Sequence, residues 1–458
     1  MSGIFKKGNN AQKNRTITLS IVVPVVIFGL LGTLSSSIFS GCDKEPSLSL
    51  EFWNVFDDSD VFNNLVGNFN KEHPTIKIAY HKKPYLDYER DLVNALAAGR
   101  GPDIFAIGNT WLPKHVDKIS PMPLELMNGK QFRDAFVDVA AQDFILFQKD
   151  EAGNAVSENI YALPLYVDTL ALYWNKDIFN ANGIALPPKD WHGFKEAVQE
   201  LTKRDESNNI LSSGAAIGTA KNVNRAGDIL MLLMMQTGTK MVDKQLWQAA
   251  FDEAVQGQGQ NYDVGQRALE FYTGFADPNK DAYTWNSQMD YSIDAFSQGK
   301  AAMMINYSYH IQTIKAKDPH LRFAIAPVPQ PKDAKTELNY ANYWGLTVSA
   351  GSSPDEIKYA WIFLDWLAKQ PQAKEYLDAV EKPAARRDLI EAQKNDLELG
   401  VFAAQALSAS SWLQVDNLAI EEIFNNMIDA VNRGLAAPEQ ALKQAASDVQ
   451  VLMDKRGR

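Results

Sequence analysis

Trp53 lies at the end of the first predicted strand, and the carboxylates Asp57 and Asp58 follow it closely in the chain. An aromatic plane beside polar groups suits a ligand with flat C–H faces and a rim of hydroxyls, such as a pyranose ring. In open α/β sheets, ligands bind at the carboxyl ends of the strands, where we expect these residues. Two other interpretations stay open: Trp53 can belong to the core, and the acids can cap a helix or face solvent.

Two further side chains could contribute to such a site. Trp285 stands in a polar-flanked loop before a predicted helix, where its ring can stack on a ligand or join the core. Arg386 follows Pro383 and two alanines, and its guanidinium can fork onto vicinal hydroxyls or a carboxylate. Pairing with Asp388 is the alternative for this arginine.

The residue patterns of common catalytic classes do not occur in the chain. The six histidines include no H-x-x-x-H pair and Cys42 is the only cysteine, so zinc has no evident ligand set. No G-x-S-x-G or P-loop motif occurs, and Gly257-x-Gly259 does not continue into a dinucleotide fingerprint. A glycosidase needs two carboxylates facing one bond, and no spacing among the 56 acids selects a pair. We therefore expect no metal, no cofactor and no enzymatic activity.

The N-terminal segment has the pattern of a secretory leader. Four basic residues and no acid precede an almost wholly apolar run over residues 17–34. Phe39-Ser40-Gly41-Cys42 resembles a bacterial lipobox, in which the cysteine takes a diacylglycerol after cleavage, although Phe39 stands where Leu is usual. We expect residues 1–41 to be a lipoprotein signal peptide, Cys42 to be lipidated, and residues 42–47 to tether the protein to the outer face of the cytoplasmic membrane. The alternative is an uncleaved anchor, since the run approaches the ~20 residues that span a bilayer.

The exported part of the chain is acidic. Without the four basic residues of the leader, 41 Lys and Arg remain against 56 Asp and Glu, a net charge of −15. This balance argues against nucleic acid as a partner.

Strand and helix patterns alternate in the first part of the exported chain. Residues 48–53, 76–80 and 104–107 read as strands. Apolar residues at three- and four-residue spacings predict helices over 61–69 and 88–98. This alternation predicts an α/β fold with a parallel sheet covered by helices.

Longer motifs follow one another in a recognisable order. They include residues 69–78, the turn at 99–104, the Tyr-Trp-Asn-Lys-Asp run at 173–177, the segments 296–303 and 326–329, and Pro383-Ala384-x-Arg386. Together these motifs resemble those of the extracellular solute-binding proteins of ABC transporters, the family that includes the maltose-binding protein. The resemblance covers the chain from about residue 50 to the C-terminus.

The resemblance implies a two-lobed periplasmic-binding-protein-like fold, with a hinge and a ligand cleft between the lobes. It implies an N-terminal lobe of residues 48–166 and 328–378 and a C-terminal lobe of residues 167–327 and 379–458. The crossovers are expected near residues 166–170, 324–329 and 377–383. The implied protein is a monomer whose partners are a small-molecule ligand and the permease of an ABC importer.

The same resemblance places ligand contacts at Asn109 and Trp111, directly after the third strand. Asp168 falls in the first crossover, where a relative also has an acid, and an acid in this apolar segment is costly to bury unless it is paired or bound to ligand. Tyr309 stands where a relative has a stacking tryptophan, with Tyr307 a second candidate. Trp344, followed by glycine at an expected lobe edge, is expected to form part of the cleft wall.

The leading hypothesis is a receptor that captures a sugar or oligosaccharide by hinge closure and delivers it to a permease. Relatives in this family also bind peptides, polyamines and other solutes, so the ligand stays open. An exported carbohydrate-active enzyme and a sensory module that presents its ligand to a membrane kinase are the alternatives.

Overall fold

A computed structural model describes residues 46–149, 155–243, 248–257 and 260–456. The predicted leader, Cys42 and most of the predicted tether lie outside the described residues. Among the helices in the described ranges, none has the length and apolar character needed to cross a membrane.

Strands and helices alternate along most of the described chain. The strands are β1 (Leu48–Asn54), β2 (Ile76–Lys82), β3 (Ile104–Gly108), β4 (Ile119–Ser120), β5 (Ile145–Lys149), β6 (Ala155–Ile160), β7 (Leu163–Pro164), β8 (Asp168–Thr169), β9 (Ala171–Asn175), β10 (Lys203–Arg204), β11 (Ile210–Ser212), β12 (Val255–Gly257), β13 (Gln260–Tyr262), β14 (Met303–Asn306), β15 (Phe323–Ala326), β16 (Asn339–Asn342), β17 (Trp344–Ser349) and β18 (Ala409–Ser410). The α-helices are α1 (Ser59–Glu72), α2 (Tyr85–Ala97), α3 (Leu112–His115), α4 (Gly129–Ala135), α5 (Asp138–Phe144), α6 (Lys176–Ala181), α7 (Trp191–Leu201), α8 (Ala226–Gln236), α9 (Val264–Gly274), α10 (Ser292–Ser297), α11 (His310–Lys317), α12 (Pro354–Leu367), α13 (Gln370–Val380), α14 (Arg387–Gln393), α15 (Gly400–Ala406), α16 (Asn417–Asn432) and α17 (Pro438–Arg456).

The first lobe is built on a sheet with the order β2-β1-β3-β17-β4, and β7 also pairs with β17. The three strands predicted first in the sequence are confirmed as parallel neighbours, with β1 between β2 and β3. Every residue of β3 is buried, as expected of a strand with both faces covered. Helix α1 buries Phe62, Leu65 and Phe69 at the predicted helical spacing.

The second lobe has a smaller antiparallel sheet in which β9 lies between β14 and β15. Its core is largely helical, and α8 buries every residue from Ala226 to Met234. A helix that is apolar on all sides must be surrounded by other elements. Helices α9 and α16 pack against α8, and α17 packs against α9 and α16.

Three short strands connect the lobes and form a sheet of their own, in the order β18-β16-β8. Residues of β16 pair antiparallel with Asp168 and Thr169 and parallel with Ala409 and Ser410. The hydrophobic core changes from one lobe to the other at each of these strands. We call β8, β16 and β18 the crossing sheet.

The positions of the crossing strands correct the predicted lobe boundaries. The first crossing lies within the predicted segment 166–170. The second lies near residue 340 rather than at 324–329, because residues 323–326 form β15 and pair with β9 inside the second lobe. The third lies near residue 409 rather than at 377–383, because Ala384, Ala385 and Ile390 pack into the core of the first lobe. The predicted boundaries at 327/328 and 378/379 therefore come too early in the chain.

Candidate ligand-binding site

A cavity of about 400 Å³ lies between the lobes, with part of the crossing sheet in its wall. Its volume falls within the usual range for small-molecule sites, roughly 300–1,000 Å³. The residues lining it are Phe56, Tyr85, Gly108, Asn109, Thr110, Trp111, Tyr166, Asp168, Asn224, Arg225, Asp228, Met231, Tyr309, His310, Tyr340, Ala341, Asn342, Trp344, Lys382, Gln414, Asn417 and Glu421.

The first lobe contributes an aromatic wall. Trp344 begins β17 beside Gly108 at the end of β3, and its ring lies 4.8 Å from that of Trp111 and 5.3 Å from that of Phe56, centre to centre. Phe56 follows β1, and the ring of Tyr85 at the start of α2 lies 5.7 Å from it. Phe56 and Tyr85 are 43% and 44% exposed, so these rings can contact a ligand. The carboxyl ends of β1 and β3 thus bring these aromatic side chains together.

The crossing sheet contributes Asp168, which is only 3% exposed. Its carboxylate accepts hydrogen bonds from the Ser308 backbone N–H at 3.0 Å, the Ser308 hydroxyl at 2.7 Å and the Thr169 backbone N–H at 2.9 Å. Burial raises the pKa of Asp168 to about 7, although these hydrogen bonds oppose the rise. No salt bridge to Asp168 occurs among the described residues. The carboxylate is therefore an acceptor held at the back of the cavity.

The second lobe contributes a polar wall at the start of α8. The Arg225 guanidinium donates from Nε at 2.9 Å and from Nη2 at 2.6 Å to Asp228 Oδ2. Its Nη1 lies 3.6 Å from a carboxylate oxygen of Glu421 on α16. The Tyr307 hydroxyl also donates to Asp228 Oδ2, at 2.5 Å. This cluster places a cation between two acids at the cavity surface.

The other cation of the cavity lining, Lys382, is also paired. Its Nζ lies 2.6 Å from Asp57 Oδ1, and the Tyr376 hydroxyl donates to the second oxygen of that carboxylate at 2.8 Å. Lys382 lies over the Tyr166 ring at 4.4 Å from its centre.

Direct contacts join the lobes at the edge of the cavity. The Trp111 indole donates to Asn417 Oδ1 at 2.8 Å, and Lys114 lies 2.8 Å from Asp416 at the start of α16. Gln312 and Glu381 form a further hydrogen bond between the lobes. The structure thus shows the two lobes touching across the cleft.

Comparison with known proteins assigns this architecture to a family. The model of a family described as bacterial extracellular solute-binding protein matches residues 55–374, more than half of the 458-residue chain. The chain belongs to this family. Membership implies a protein that works outside the cytoplasm.

Individual relatives of this solute-binding protein are distant but match along most of their length. A binding protein of Brucella abortus is 24% identical over 86% of this chain and 90% of its own. The galactooligosaccharide-binding protein of Bacillus subtilis is 22% identical over 92% of this chain and 95% of its own. The crystal structure of the cyclic α-maltosyl-1,6-maltose binding protein from Arthrobacter globiformis is similar with a TM-score of 0.71, at 18% identity over 89% of this chain and 99% of that one. That likeness bears out the two-lobed α/β fold.

Five of the side chains predicted to contact ligand line the cavity of the solute-binding protein: Asn109, Trp111, Asp168, Tyr309 and Trp344. Asn109 donates to Asp143 at 2.9 Å, and Tyr309 is 51% exposed. The first and second lobes and the crossing sheet all contribute to this group. Their roles in binding stay predictions.

Trp285 and Tyr307 do not line the cavity, which corrects their predicted placement. Both side chains are 0% exposed and belong to the core of the second lobe. From the core, the Tyr307 hydroxyl contacts Asp228 and its ring lies 5.8 Å from that of Tyr309, so Tyr307 supports two residues of the cavity lining. Side chains without any accessible surface cannot touch a ligand in this conformation.

Arg386 and Trp53 also lie elsewhere. The Arg386 guanidinium donates to both carboxylate oxygens of Asp388, at 3.0 and 2.7 Å, and to the Ala368 carbonyl. This is the alternative that the sequence left open for Arg386. The Trp53 ring faces the Lys83 ammonium at 3.6 Å from its centre. Neither side chain lines the cavity.

The two acids after β1 have different environments. Asp57 is 8% exposed and supports Lys382 from behind the cavity wall. Asp58 is exposed and pairs with Lys82 at 2.6 Å. Both acids thus lie outside the cavity lining, and each is held by a lysine of the protein.

Arg225 and Asp228 of the polar wall were missed in the sequence, whereas Glu421 falls where the family resemblance places contacts of the final helices. A signal was available, because Arg225 and Asp228 stand three residues apart at the start of a nine-residue buried helix segment. Charged residues at the end of such an apolar helix are expected to face another polar group. The described residues contain no group of three or more His, Cys, Asp or Glu side chains arranged to hold a metal ion.

Proposed function

We propose that this solute-binding protein captures a carbohydrate outside the cytoplasm and delivers it to the permease of an ABC importer. The observation that carries the proposal is the composition of the cavity, which combines exposed aromatic rings with buried hydrogen-bonding groups from both lobes. Aromatic rings suit the C–H faces of a sugar, and fixed polar groups suit its hydroxyls. The names of relatives agree, since a galactooligosaccharide-binding protein and a maltotriose-binding protein are among them.

The mechanism that follows is closure about the crossing sheet. Trp344 and Trp111 belong to the first lobe, whereas Arg225 and Tyr309 belong to the second. A ligand that touches both sets stabilises the conformation in which the lobes meet, so binding shifts the population toward that form. The permease then distinguishes the closed form from the open one.

A thermal-shift screen over neutral mono- and oligosaccharides tests the proposal. A ligand present at 100 times its Kd adds about 2.7 kcal/mol to the free energy of unfolding. The hit is then titrated by calorimetry and recovered for chromatography. We expect tight binding with the sugar recovered unchanged, whereas conversion of the sugar into products would support the carbohydrate-active enzyme instead.

We further propose that Cys42 carries a lipid that holds the protein on the outer face of the cytoplasmic membrane. The support is the leader pattern and the lipobox-like segment that ends at Cys42. Two acyl chains give stable anchoring, whereas one is marginal. Intact-mass measurement of the protein extracted from membranes should show a diacylglyceryl group on an N-terminal Cys42, and Cys42→Ser should lack it. An N-terminus at Met1 in the wild-type protein would support the uncleaved anchor.

A further inference from the structure

Arg225 has an unusual backbone conformation at the cavity. It precedes α8 with φ 60° and ψ 32°, in the left-handed region. This region is unfavourable for a side chain with a Cβ atom and is visited mainly by glycine, asparagine and aspartate. Strained conformations of this kind persist where the surrounding structure over-determines them, and they cluster at functional sites.

Asp228 holds the Arg225 guanidinium in place but does not occupy all of its N–H donors. Nε and Nη2 both donate to one carboxylate oxygen of Asp228. Nη1 lies 3.6 Å from Glu421, beyond hydrogen-bond length, and has no hydrogen-bond partner among the described residues. The side chain is 19% exposed and lines the cavity. It therefore presents unused N–H donors from a fixed position.

The charge of this donor is already balanced. The cavity lining contains the cations Arg225 and Lys382 and the acids Asp168, Asp228 and Glu421. Arg225 lies between Asp228 and Glu421, and Lys382 is paired with a further acid behind the wall. Each cation of the lining thus has an acidic partner. A phosphate or carboxylate on a ligand would meet an excess of negative charge.

A neutral histidine, His310, lines the cavity together with Arg225. His310 Nε2 is 3.2 Å from Asn224 Oδ1, and the Asn224 amide nitrogen donates to the Tyr291 hydroxyl at 2.7 Å. Because Asn224 Oδ1 can only accept, the histidine carries its proton on Nε2, which leaves Nδ1 as an acceptor. Nδ1 is itself buried and has no hydrogen-bond partner among the described residues, so what the ring brings to the cavity is the absence of a charge. Burial and the neighbouring Arg225 lower the pKa of His310 to about 4, so the ring is neutral at physiological pH.

We propose that Arg225 donates hydrogen bonds to the bound ligand with its charge already neutralised, and that the cavity thereby selects an uncharged carbohydrate over a phosphorylated or carboxylated one. The inference rests on the proposed carbohydrate function. Paired cations, an excess of acids and a neutral histidine together match hydroxyl groups, which both donate and accept hydrogen bonds. They do not match a free anion.

The test compares ligands that differ at one terminal group, which is an anion in one and uncharged in the other. Maltotriose, galactobiose and mannobiose are each converted to the aldonic acid, which carries a carboxylate at the opened end, and to the alditol, which carries a hydroxymethyl group there. Binding of all forms is measured by calorimetry at pH 7.5. For each sugar that binds, we expect the alditol to bind at least tenfold more tightly than the aldonate.

The variants Arg225→Lys and Arg225→Asn test what the Arg225 side chain contributes to ligand binding. Lysine keeps the charge but lacks the planar fork, and asparagine adopts the left-handed conformation readily, which spares the backbone. We expect each to weaken binding of the neutral sugar at least tenfold. Arg386→Lys is the matched control, because Arg386 also forks onto a nearby aspartate but lies outside the cavity. Thermal unfolding of the ligand-free proteins identifies any variant that is simply misfolded.

The outcomes separate the inference from the proposed function. If neutral sugars bind the wild type and Arg225→Lys binds them equally well, the role of Arg225 is overturned while the carbohydrate function stands. If the aldonates bind as tightly as the alditols, the selection against anions is overturned. If the wild type binds none of the neutral sugars in this panel or in the wider screen, both proposals fail.

Discussion

Replacing Asp168 by asparagine should change how the stability of the protein depends on pH. The carboxylate is 3% exposed and burial raises its pKa from 3.8 to about 7. In the folded protein Asp168 therefore holds its proton more strongly than in the unfolded chain. The stability that this provides is fully present below pH 3.8 and is lost as the pH rises to about 7.

The size of this change in stability follows from the shift in the pKa of Asp168. Each pKa unit corresponds to about 1.36 kcal/mol, so a rise from 3.8 to about 7 corresponds to about 4 kcal/mol of lost stability above pH 7. Asparagine is uncharged throughout. Its Oδ1 can still accept from the Thr169 and Ser308 backbone N–H groups, so most of the local geometry is kept. The stability of Asp168→Asn relative to the wild type should thus increase by about 4 kcal/mol between pH 4 and pH 8.

Urea unfolding of both ligand-free proteins at intervals across this pH range measures the difference. Other titrating groups, such as Asp143 with a pKa raised by burial to about 6, affect both proteins alike and cancel. Asp58→Asn is the control, because that carboxylate lies on the surface outside the cavity. A difference between Asp168→Asn and the wild type that stays constant with pH would refute the reasoning. If ligand hydroxyls donate to Asp168, binding below pH 7 should also release protons, which calorimetry in buffers of different ionisation enthalpy detects.

Three other substitutions probe the aromatic wall, the core and the contact between the lobes. Trp344→Ala should weaken sugar binding by roughly 2 kcal/mol, about thirtyfold, because a large apolar face of the cavity is lost; unchanged affinity by calorimetry would remove Trp344 from the site. Trp285→Ala should lower the free energy of unfolding by roughly 3–5 kcal/mol, because the ring is 0% exposed in the core of the second lobe. The affinity of the folded protein for sugar should stay unchanged. A selective loss of binding in a protein of normal stability would contradict this. Asp416→Asn removes the ion pair with Lys114 but keeps the oxygen that caps α16. It should weaken binding two- to fivefold by destabilising the closed form, because an exposed pair contributes roughly 0.2–1 kcal/mol, whereas Asp134→Asn, which breaks an ion pair within α4, should have no effect on binding.

The elements of the first lobe could be predicted well because their signals are local. Alternating apolar residues in β1 and the three- and four-residue spacing in α1 depend only on neighbours along the chain. The crossings could not be placed this way. The family resemblance placed a crossover at residues 324–329, but β15 at residues 323–326 pairs with β9 inside the second lobe. Pairing between strands so far apart in the chain leaves no local mark in the sequence.

The candidate site shows the same limit of local sequence signals. Trp285 and Trp344 had similar signals, a tryptophan beside polar or small residues at the edge of an element. Only the packing distinguishes them, because Trp285 faces the core of its lobe whereas Trp344 faces the cleft. The sequence singled out Trp53, Asp57 and Asp58 around the end of β1, yet the side chain of this segment that lines the cavity is Phe56.

The sequence by itself determined the family, the α/β class, the acidic exported character and five of the cavity-lining side chains, because ordered motifs and local periodicity carry that information. Tertiary structure alone decided where the chain crosses between lobes and which charges meet. Arg225 and Glu421 come together on different helices 196 residues apart, and Lys382 reaches Asp57 across 325 residues. Such pairs depend on how whole elements pack, so burial, pKa and the balance of charge in the cavity emerge only once both lobes are assembled.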